Sequence, residues 1–116
     1  MNIEDNKEVY ILGTKYQIKF CDSSHMFEDD NTGECDRYNK IIKINMDIFD
    51  ESDKSNTENM IAFYRKVLRH EMIHAFFHEM GLDCYSEDEY LVDALAIIFP
   101  KMEQTFNMAF FNCNVE

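Results

Sequence analysis

Two histidines and a glutamate near the middle of the chain have the types and spacing of a catalytic metal site. Residues 70–74 read His-Glu-Met-Ile-His, a His-Glu-x-x-His motif. On a helix, His70 and His74 lie one turn apart on the same face, so both imidazoles can reach one ion. Glu71 is offset by one residue, which places its carboxylate beside the ion as a general base requires. The motif predicts hydrolysis of an amide bond, with zinc (Zn²⁺) activating a water and Glu71 as catalytic base.

A catalytic zinc site uses three protein ligands and a water, so the motif needs one more ligand. The candidates are His78, Glu87, Asp88, Glu89 and Asp93. His78 stands about 12 Å from His70 along a helix axis, too far for one ion bound at about 2 Å per ligand. We therefore expect His78 to contact a metal ligand without binding the metal itself, or to lie at the surface.

Glu89 and Asp93 lie one helical turn apart beside an apolar stripe, where a carboxylate is costly unless it is paired or metal-bound. We predict Glu89 as the third ligand, with Glu87 or Asp93 as the next candidates. Asp93 is also predicted to accept the spare N–H of His70. An alternative is a Ser-x-x-Glu capping box, in which Ser86 and Glu89 only close the start of a helix.

The oxyanion of amide hydrolysis needs a hydrogen-bond donor besides the metal. The available side chains are Tyr38, Tyr85, Tyr90 and His25. Tyr85 is the first candidate because it lies in the predicted loop that enters the glutamate helix. Cys84, between the two predicted ligand segments, is a candidate inhibitory ligand.

The elements that must position these residues are strands first and helices second. Alternating apolar residues between about residues 8 and 46, such as Ile42 and Ile44, indicate a small antiparallel sheet of three or four strands. Tyr38-Asn39-Lys40 is the best candidate for a hairpin turn. The long helix with the motif is predicted from about residue 57 to Met80, and Gly81 ends it.

Helix signals flank both predicted helices. Ser55 with Glu58 fits a capping box at the start of the first, and Thr57 is a competing cap. The glutamate helix is predicted over about residues 86–99. Pro100 interrupts it, which leaves a short C-terminal helix over Lys101–Phe111. Six phenylalanines of these helices are expected in the core. They are Phe76, Phe77, Phe99, Phe106, Phe110 and Phe111.

Composition limits the partners of the chain. Its 116 residues favour a single domain, and 23 acidic against 11 basic residues give a net charge of −12. Phosphate recognition needs clustered cations, so binding to nucleic acid or to an anionic membrane is not expected. The start of the chain lacks the pattern of a signal peptide, which predicts a cytoplasmic protein with reduced thiols. The cysteines are Cys21, Cys35, Cys84 and Cys113.

The motif of residues 70–74 followed by Glu89-x-x-x-Asp93 resembles the gluzincin pattern of zinc metallopeptidases. The wider segment through Gly81-Leu82 to Pro100 is similar to small metallopeptidases of phages and prophages and to the zincin domain of ImmA/IrrE-type metallopeptidases. The resemblance implies a minimal α+β zincin-like fold, with a short sheet, an active-site helix and a glutamate helix. It also implies zinc on His70, His74 and Glu89.

The resemblance further implies a peptide or protein substrate, taken as an added strand at an edge supplied by Tyr38–Met46. A second hypothesis is a zinc-stabilised phage or prophage accessory factor that binds a protein on a zincin scaffold without cleaving it. A helical domain without metal is the third. The oligomeric state is left open by the sequence.

Overall fold

The computed structural model describes residues 6–49 and 57–111 as an α+β arrangement of a four-stranded sheet and helices. The strands are β1 (Lys7–Ile11), β2 (Thr14–Cys21), β3 (Gly33–Asp36) and β4 (Ile41–Asn45). The helices are α1 (Thr57–Glu79), α2 (Asp83–Ser86) and α3 (Glu89–Phe111). The order across the sheet is β1-β2-β4-β3.

The sheet is mixed, and the prediction of an antiparallel sheet is wrong at its centre. β1 with β2 and β3 with β4 form antiparallel hairpins, but β2 and β4 pair in parallel. The reason is the long connection over residues 22–32, which lets the second hairpin place β4 beside β2. Both hairpin turns use left-handed backbone, at Leu12 (φ 49°) and Gly13 (φ 87°) in the first and at Lys40 (φ 59°) in the second.

The second turn lies where the sequence predicts it, at Tyr38-Asn39-Lys40. The predicted edge of the sheet, Tyr38–Met46, is not at the edge. Asp36 Oδ1 accepts hydrogen bonds of 3.0 Å from the backbone N–H groups of Tyr38 and Asn39, which fixes the turn before β4. β4 is paired on both sides, so most of the predicted edge at Tyr38–Met46 lies inside the sheet. The outer strand of this hairpin is β3.

The core lies between one face of the sheet and α1. Side chains alternate between the two faces of a strand, and Ile18 and Phe20 of β2 and Ile42 and Ile44 of β4 are buried as this period requires. Val67 of α1 packs in the same buried cluster. The sheet therefore fixes which face of α1 points inward.

α1 ends where the sequence predicts. Gly81 has a φ of 74°, its N–H donates to His78 O at 3.1 Å, and the N–H of Leu82 donates to Phe77 O at 2.8 Å. This pair of bonds is a Schellman motif, which satisfies carbonyls left open at the helix end. The predicted cap Ser55 lies outside the described residues, and Thr57 is the first residue of α1.

α3 continues through Pro100 as one helix of 23 residues, so the predicted break and the separate short C-terminal helix are wrong. Proline has no N–H to donate to the carbonyl four residues earlier, which belongs to the buried Ala96. Arg69 of α1 replaces that donor, because its Nε donates to Ala96 O at 2.8 Å. Proline within a helix removes one hydrogen bond and crowds the carbonyl group four residues earlier. The contact with Arg69 replaces the lost hydrogen bond.

The phenylalanine prediction is also wrong for most members of that set. Phe77 is partly buried, but Phe76, Phe99, Phe106, Phe110 and Phe111 are exposed. The aromatic part of the core instead combines Phe20 and Phe49 with Tyr64. Residues 101–111 are all exposed, which leaves Phe106, Phe110 and Phe111 outside the core. No helix in the described part of the chain is long and apolar enough to span a membrane.

Candidate metal centre

The candidate site is built from two neighbouring stripes of α1. Val67, Glu71 and Ala75 recur every four residues and are buried. His70 precedes Glu71 and His74 precedes Ala75, so the two histidines lie on the adjacent stripe. There His70 contacts α3 and His74 contacts α2. The same helix thus buries the glutamate of the motif and presents its two histidines to the other helices.

Two imidazoles from α1 and one carboxylate from α3 lie next to one another. The Nε2 atoms of His70 and His74 lie 3.2 Å apart. Glu89 approaches both, with Oε2 at 3.0 Å from His70 Nε2 and Oε1 at 3.1 Å from His74 Nε2. Among the described residues, these three form the group of histidine, cysteine and acidic side chains that could hold a metal ion.

These three side chains are here called the triangle, and the distances from each histidine Nε2 to the other and to its nearer Glu89 oxygen fit a small divalent ion. Bond lengths of about 2.0–2.1 Å in a tetrahedral zinc site place neighbouring ligand atoms roughly 3.3 Å apart. The observed separations of 3.0 to 3.2 Å are close to that value. Burial lowers the pKa of His74, which favours the neutral imidazole that metal binding requires.

Asp93 contacts both His70 and Lys66. Its Oδ1 is 3.4 Å from His70 Nδ1 and 3.1 Å from Lys66 Nζ. The hydrogen bond to Lys66 is the main reason why the pKa of Asp93 is lowered. The aspartate is therefore charged and placed next to the ring nitrogen that faces away from the triangle.

Asp88, not Ser86, caps α3. The Oδ1 atom of Asp88 accepts from the N–H of Leu91 at 3.1 Å, as an N-cap residue does. The alternative capping box of Ser86 with Glu89 is therefore wrong. Because Asp88 closes the helix, the Glu89 carboxylate is free to face the two histidines.

Glu71 is a buried carboxyl group in a pocket shaped by a glycine. It is 7% exposed, and burial together with the charges of Glu89 and Glu34 raises its pKa to about 8. Gly33 of β3 lies opposite, where an added Cβ would stand 2.9 Å from Glu71 Cγ and 3.1 Å from Oε2. Only glycine at this position leaves the Glu71 side chain its space.

An open cleft of about 520 Å³ lies over His74 and His78. Its helical wall includes His74, His78 and Ser86, and its other wall comes from β3 and the turn that follows it. Arg37 and Tyr38 of that turn line the cleft, and Arg37 NH2 donates to Tyr38 OH at 2.8 Å. These two side chains give the cleft a cation and a hydroxyl group.

The other predicted donors lie elsewhere. Tyr85 is not among the described residues that line the cleft, and its ring packs against Phe77 with centroids 6.0 Å apart. Tyr90 is 92% exposed, and His25 pairs with Asp22 at 2.6 Å near β2. Tyr38 is thus the sequence candidate that the structure brings to the cleft.

The remaining ligand candidates take other positions. Glu87 lines the cleft, and Asp88 caps α3. Cys84 is an exposed free thiol, outside the metal-binding group found in the described part of the chain. Cys21 and Cys35 are also free thiols, whereas Cys113 lies outside the described residues.

Sequence reasoning missed two residues at this site. Gly33 makes room for Glu71, and nothing in the sequence around it indicates this role. Ser86 was interpreted as a helix cap, although it is buried and its hydroxyl contacts His74. Neither role has a local signal, because each depends on a partner more than ten residues away in the chain.

No known protein family, curated protein or solved structure matches the chain. The chemistry of the site therefore rests on its own geometry.

Proposed function

We propose that this chain is a zinc-dependent peptidase with zinc held by His70, His74 and Glu89. The observation that carries the proposal is the contact of Glu89 with both histidines: its two carboxylate oxygens lie 3.0 Å and 3.1 Å from the Nε2 atoms of His70 and His74, which are 3.2 Å apart. Glu71 is buried on the same helix as the two histidines. Two imidazoles and one carboxylate form the ligand set of many zinc peptidases and leave a position open for water. Imidazole donors also suit other transition metals, so the choice of zinc belongs to the proposal.

Each side chain has a role that follows from its place. A bound zinc ion would lower the pKa of its water to about 7 and polarise the substrate carbonyl. Glu71 accepts the proton of the attacking water and passes it to the leaving amine. Burial raises the pKa of Glu71, so the carboxylate binds a proton readily, and a nearby cation counteracts that shift. Asp93 holds the ring of His70 from behind.

The substrate in this proposal is an extended peptide. β3 is an outer strand of the sheet and borders the cleft through Glu34, Cys35 and Asp36. An outer strand offers backbone groups that can pair with a peptide and carry it across the cleft. Tyr38 and Arg37 lie at the end of that strand and are the donors proposed for the developing oxyanion.

The proposal is tested with purified protein and two substitutions. Wild type is expected to contain about one equivalent of zinc by elemental analysis, and His74→Ala is expected to lose it because one of three ligands is removed. His25→Ala is the matched control, since His25 is exposed and pairs with Asp22 away from the triangle. A wild-type protein without affinity for zinc would refute the proposal.

Glu71→Gln separates hydrolysis from metal binding. The variant is expected to keep zinc and to lose at least 100-fold in cleavage of an unstructured protein such as casein, because the amide cannot accept a proton. Glu103→Gln, on the exposed part of α3, is the control. Zinc-loaded wild type that cleaves no better than Glu71→Gln would instead favour the second hypothesis, a zinc-stabilised protein that binds its partner without cutting it.

A further inference from the structure

A line of polar side chains leads away from His74 on the side opposite the triangle. Ser86 Oγ lies 2.8 Å from His74 Nδ1 and 3.1 Å from His78 Nε2. His78 Nδ1 lies 2.8 Å from Asp83 Oδ1, and Arg37 NH1 lies 3.3 Å from the other oxygen of Asp83. Four contacts thus connect a proposed metal ligand with an arginine in the cleft wall.

The reversal after α1 creates this line. His74 and His78 lie one turn apart on α1, and Gly81 turns the chain so that α2 runs beside them. Asp83 and Ser86 are the first and last residues of that single helical turn, so they lie three residues apart on one face. Each therefore meets a different nitrogen of His78. Ser86 is 4% exposed, so its hydroxyl must be satisfied by these neighbours.

Metal binding would set the direction of every hydrogen bond in the line. When His74 binds a metal through Nε2, its proton is on Nδ1 and is donated to Ser86 Oγ. The Ser86 hydroxyl then donates its own proton to His78 Nε2. His78 consequently carries its proton on Nδ1 and donates it to the Asp83 carboxylate. Each hydrogen bond then has one direction, and each proton in the line has an acceptor.

We propose that Ser86, His78 and Asp83 form a hydrogen-bond relay that fixes the tautomer and ring orientation of His74 for metal binding. The relay rests on the metal site of the proposed function and adds three positioning residues to it. The two histidine ligands are thus supported differently. His70 has a carboxylate next to its Nδ1, whereas His74 has a neutral hydroxyl backed by a carboxylate two contacts away. Such partners of metal ligands typically affect metal affinity 10-fold to 100-fold.

The same three residues have the order of a serine hydrolase triad, but burial argues against that role. A nucleophilic serine must reach a substrate, and its hydroxyl proton must be the one its histidine removes. Ser86 lines the cleft but is only 4% exposed, and its oxygen is shared between His74 and His78. The hydroxyl is therefore placed to support a ligand rather than to attack a carbonyl.

The relay is tested by cobalt binding, which needs no substrate. Co²⁺ is titrated into metal-free protein, its affinity is measured by competition with a chelator, and the visible absorption of the bound ion reports the ligand geometry. Ser86→Ala is expected to weaken Co²⁺ binding 10-fold to 100-fold and to change the visible spectrum. Ser86→Thr keeps the hydroxyl group and is expected to recover most of the affinity. Ser24→Ala, at an exposed serine, is the matched control.

His78→Phe tests the relay with Ser86 still present. It therefore tests the proposal even if circular dichroism shows that Ser86→Ala is unfolded. The expected result is a weaker Co²⁺ affinity together with the altered spectrum. The relay is overturned, and the metal site is not, if folded Ser86→Ala or His78→Phe binds Co²⁺ as wild type does. The same holds if Ser86→Thr does not restore the Co²⁺ affinity that Ser86→Ala loses. Failure of wild type to bind Co²⁺ or Zn²⁺ overturns both.

Discussion

At the scale of single residues, the site depends on how one carboxyl group is accommodated. Glu71 occupies a buried position that an apolar residue would fill in an ordinary helix of this kind. Burying it is costly, and the cost appears as a pKa of about 8. The space for it exists because the facing residue of β3, Gly33, has no side chain.

If the chain is the zinc peptidase proposed above, Gly33→Ala is expected to lower the rate of hydrolysis more than the affinity for zinc. The new methyl group would stand 2.9 Å from Glu71 Cγ, so the carboxylate must move. A displacement of about 1 Å at a catalytic group can cost roughly 100-fold in rate. We expect kcat/KM on a peptide to fall by about that factor while zinc content stays near one equivalent. Thr32→Ala, at the exposed neighbour, is the control. Equal activity in both variants would contradict this role of Gly33.

The residues that sequence reasoning placed at the site are those joined by helical spacing. His70, Glu71 and His74 follow from one helix, and Glu89 required only a second helix returning beside it. The contacts of Ser86 and Gly33 were not predictable in this way. They depend on the angle at which α2 leaves Gly81 and on which strand lies opposite α1.

At the scale of elements, α3 is longer than its sequence suggests because a neighbour replaces a missing donor. Pro100 leaves Ala96 O without its helical partner, and Arg69 supplies one from α1. The error in predicting a break at Pro100 came from considering one helix alone. Proline removes one hydrogen bond, and a second helix in contact can restore it.

A double-mutant cycle measures this compensation. Arg69→Met keeps most of the apolar stem but leaves the buried Ala96 carbonyl unsatisfied, which is expected to cost about 1–3 kcal/mol in the free energy of unfolding. In a Pro100→Ala background the backbone N–H returns, so the same substitution is expected to cost less. Chemical denaturation of the four proteins gives the coupling energy. An equal cost of Arg69→Met in both backgrounds would show that the contact does not replace the missing bond.

At the scale of the whole molecule, one carboxylate ties the end of α1 to the sheet. Glu79 accepts hydrogen bonds from Thr14 Oγ1 at 2.6 Å and Tyr16 OH at 2.7 Å. Lys40 Nζ, from the turn before β4, lies 2.9 Å from it. These partners, the hydroxyl of Thr14 first, lower the pKa of Glu79 to about 2. Both hairpins thus share one contact with the helix that carries the site.

The depressed pKa predicts acid sensitivity with a defined sign. The stabilisation from Glu79 is complete above its unfolded pKa of about 4.5 and is lost as the pH falls towards about 2. Glu79→Gln is therefore expected to be less stable than wild type at pH 6 and to lose less stability between pH 5 and pH 2. Urea denaturation across this range checks it, with Glu103→Gln as control. Parallel curves for wild type and Glu79→Gln would contradict the prediction.

The broad class of the molecule was predictable, and its strand order was not. Alternation in residues 41–45 and helical spacing in α1 indicate an α+β arrangement from local pattern alone. Whether β3 or β4 lies next to β2 depends on the path of residues 22–32, which carry no periodic signal. That path decides which strand borders the cleft.

The sheet consists of two hairpins joined by the parallel pairing of β2 with β4. Folding is therefore expected to have a fast step, in which the hairpins form, and a slower step, in which they pair. Hairpins with tight turns form within about 1–10 μs, whereas partners distant in the chain meet later because a longer loop must close. Gly33 reaches Glu71 only after the second hairpin has docked on α1. The pocket that surrounds the Glu71 carboxyl group is therefore completed only in the later stage of folding.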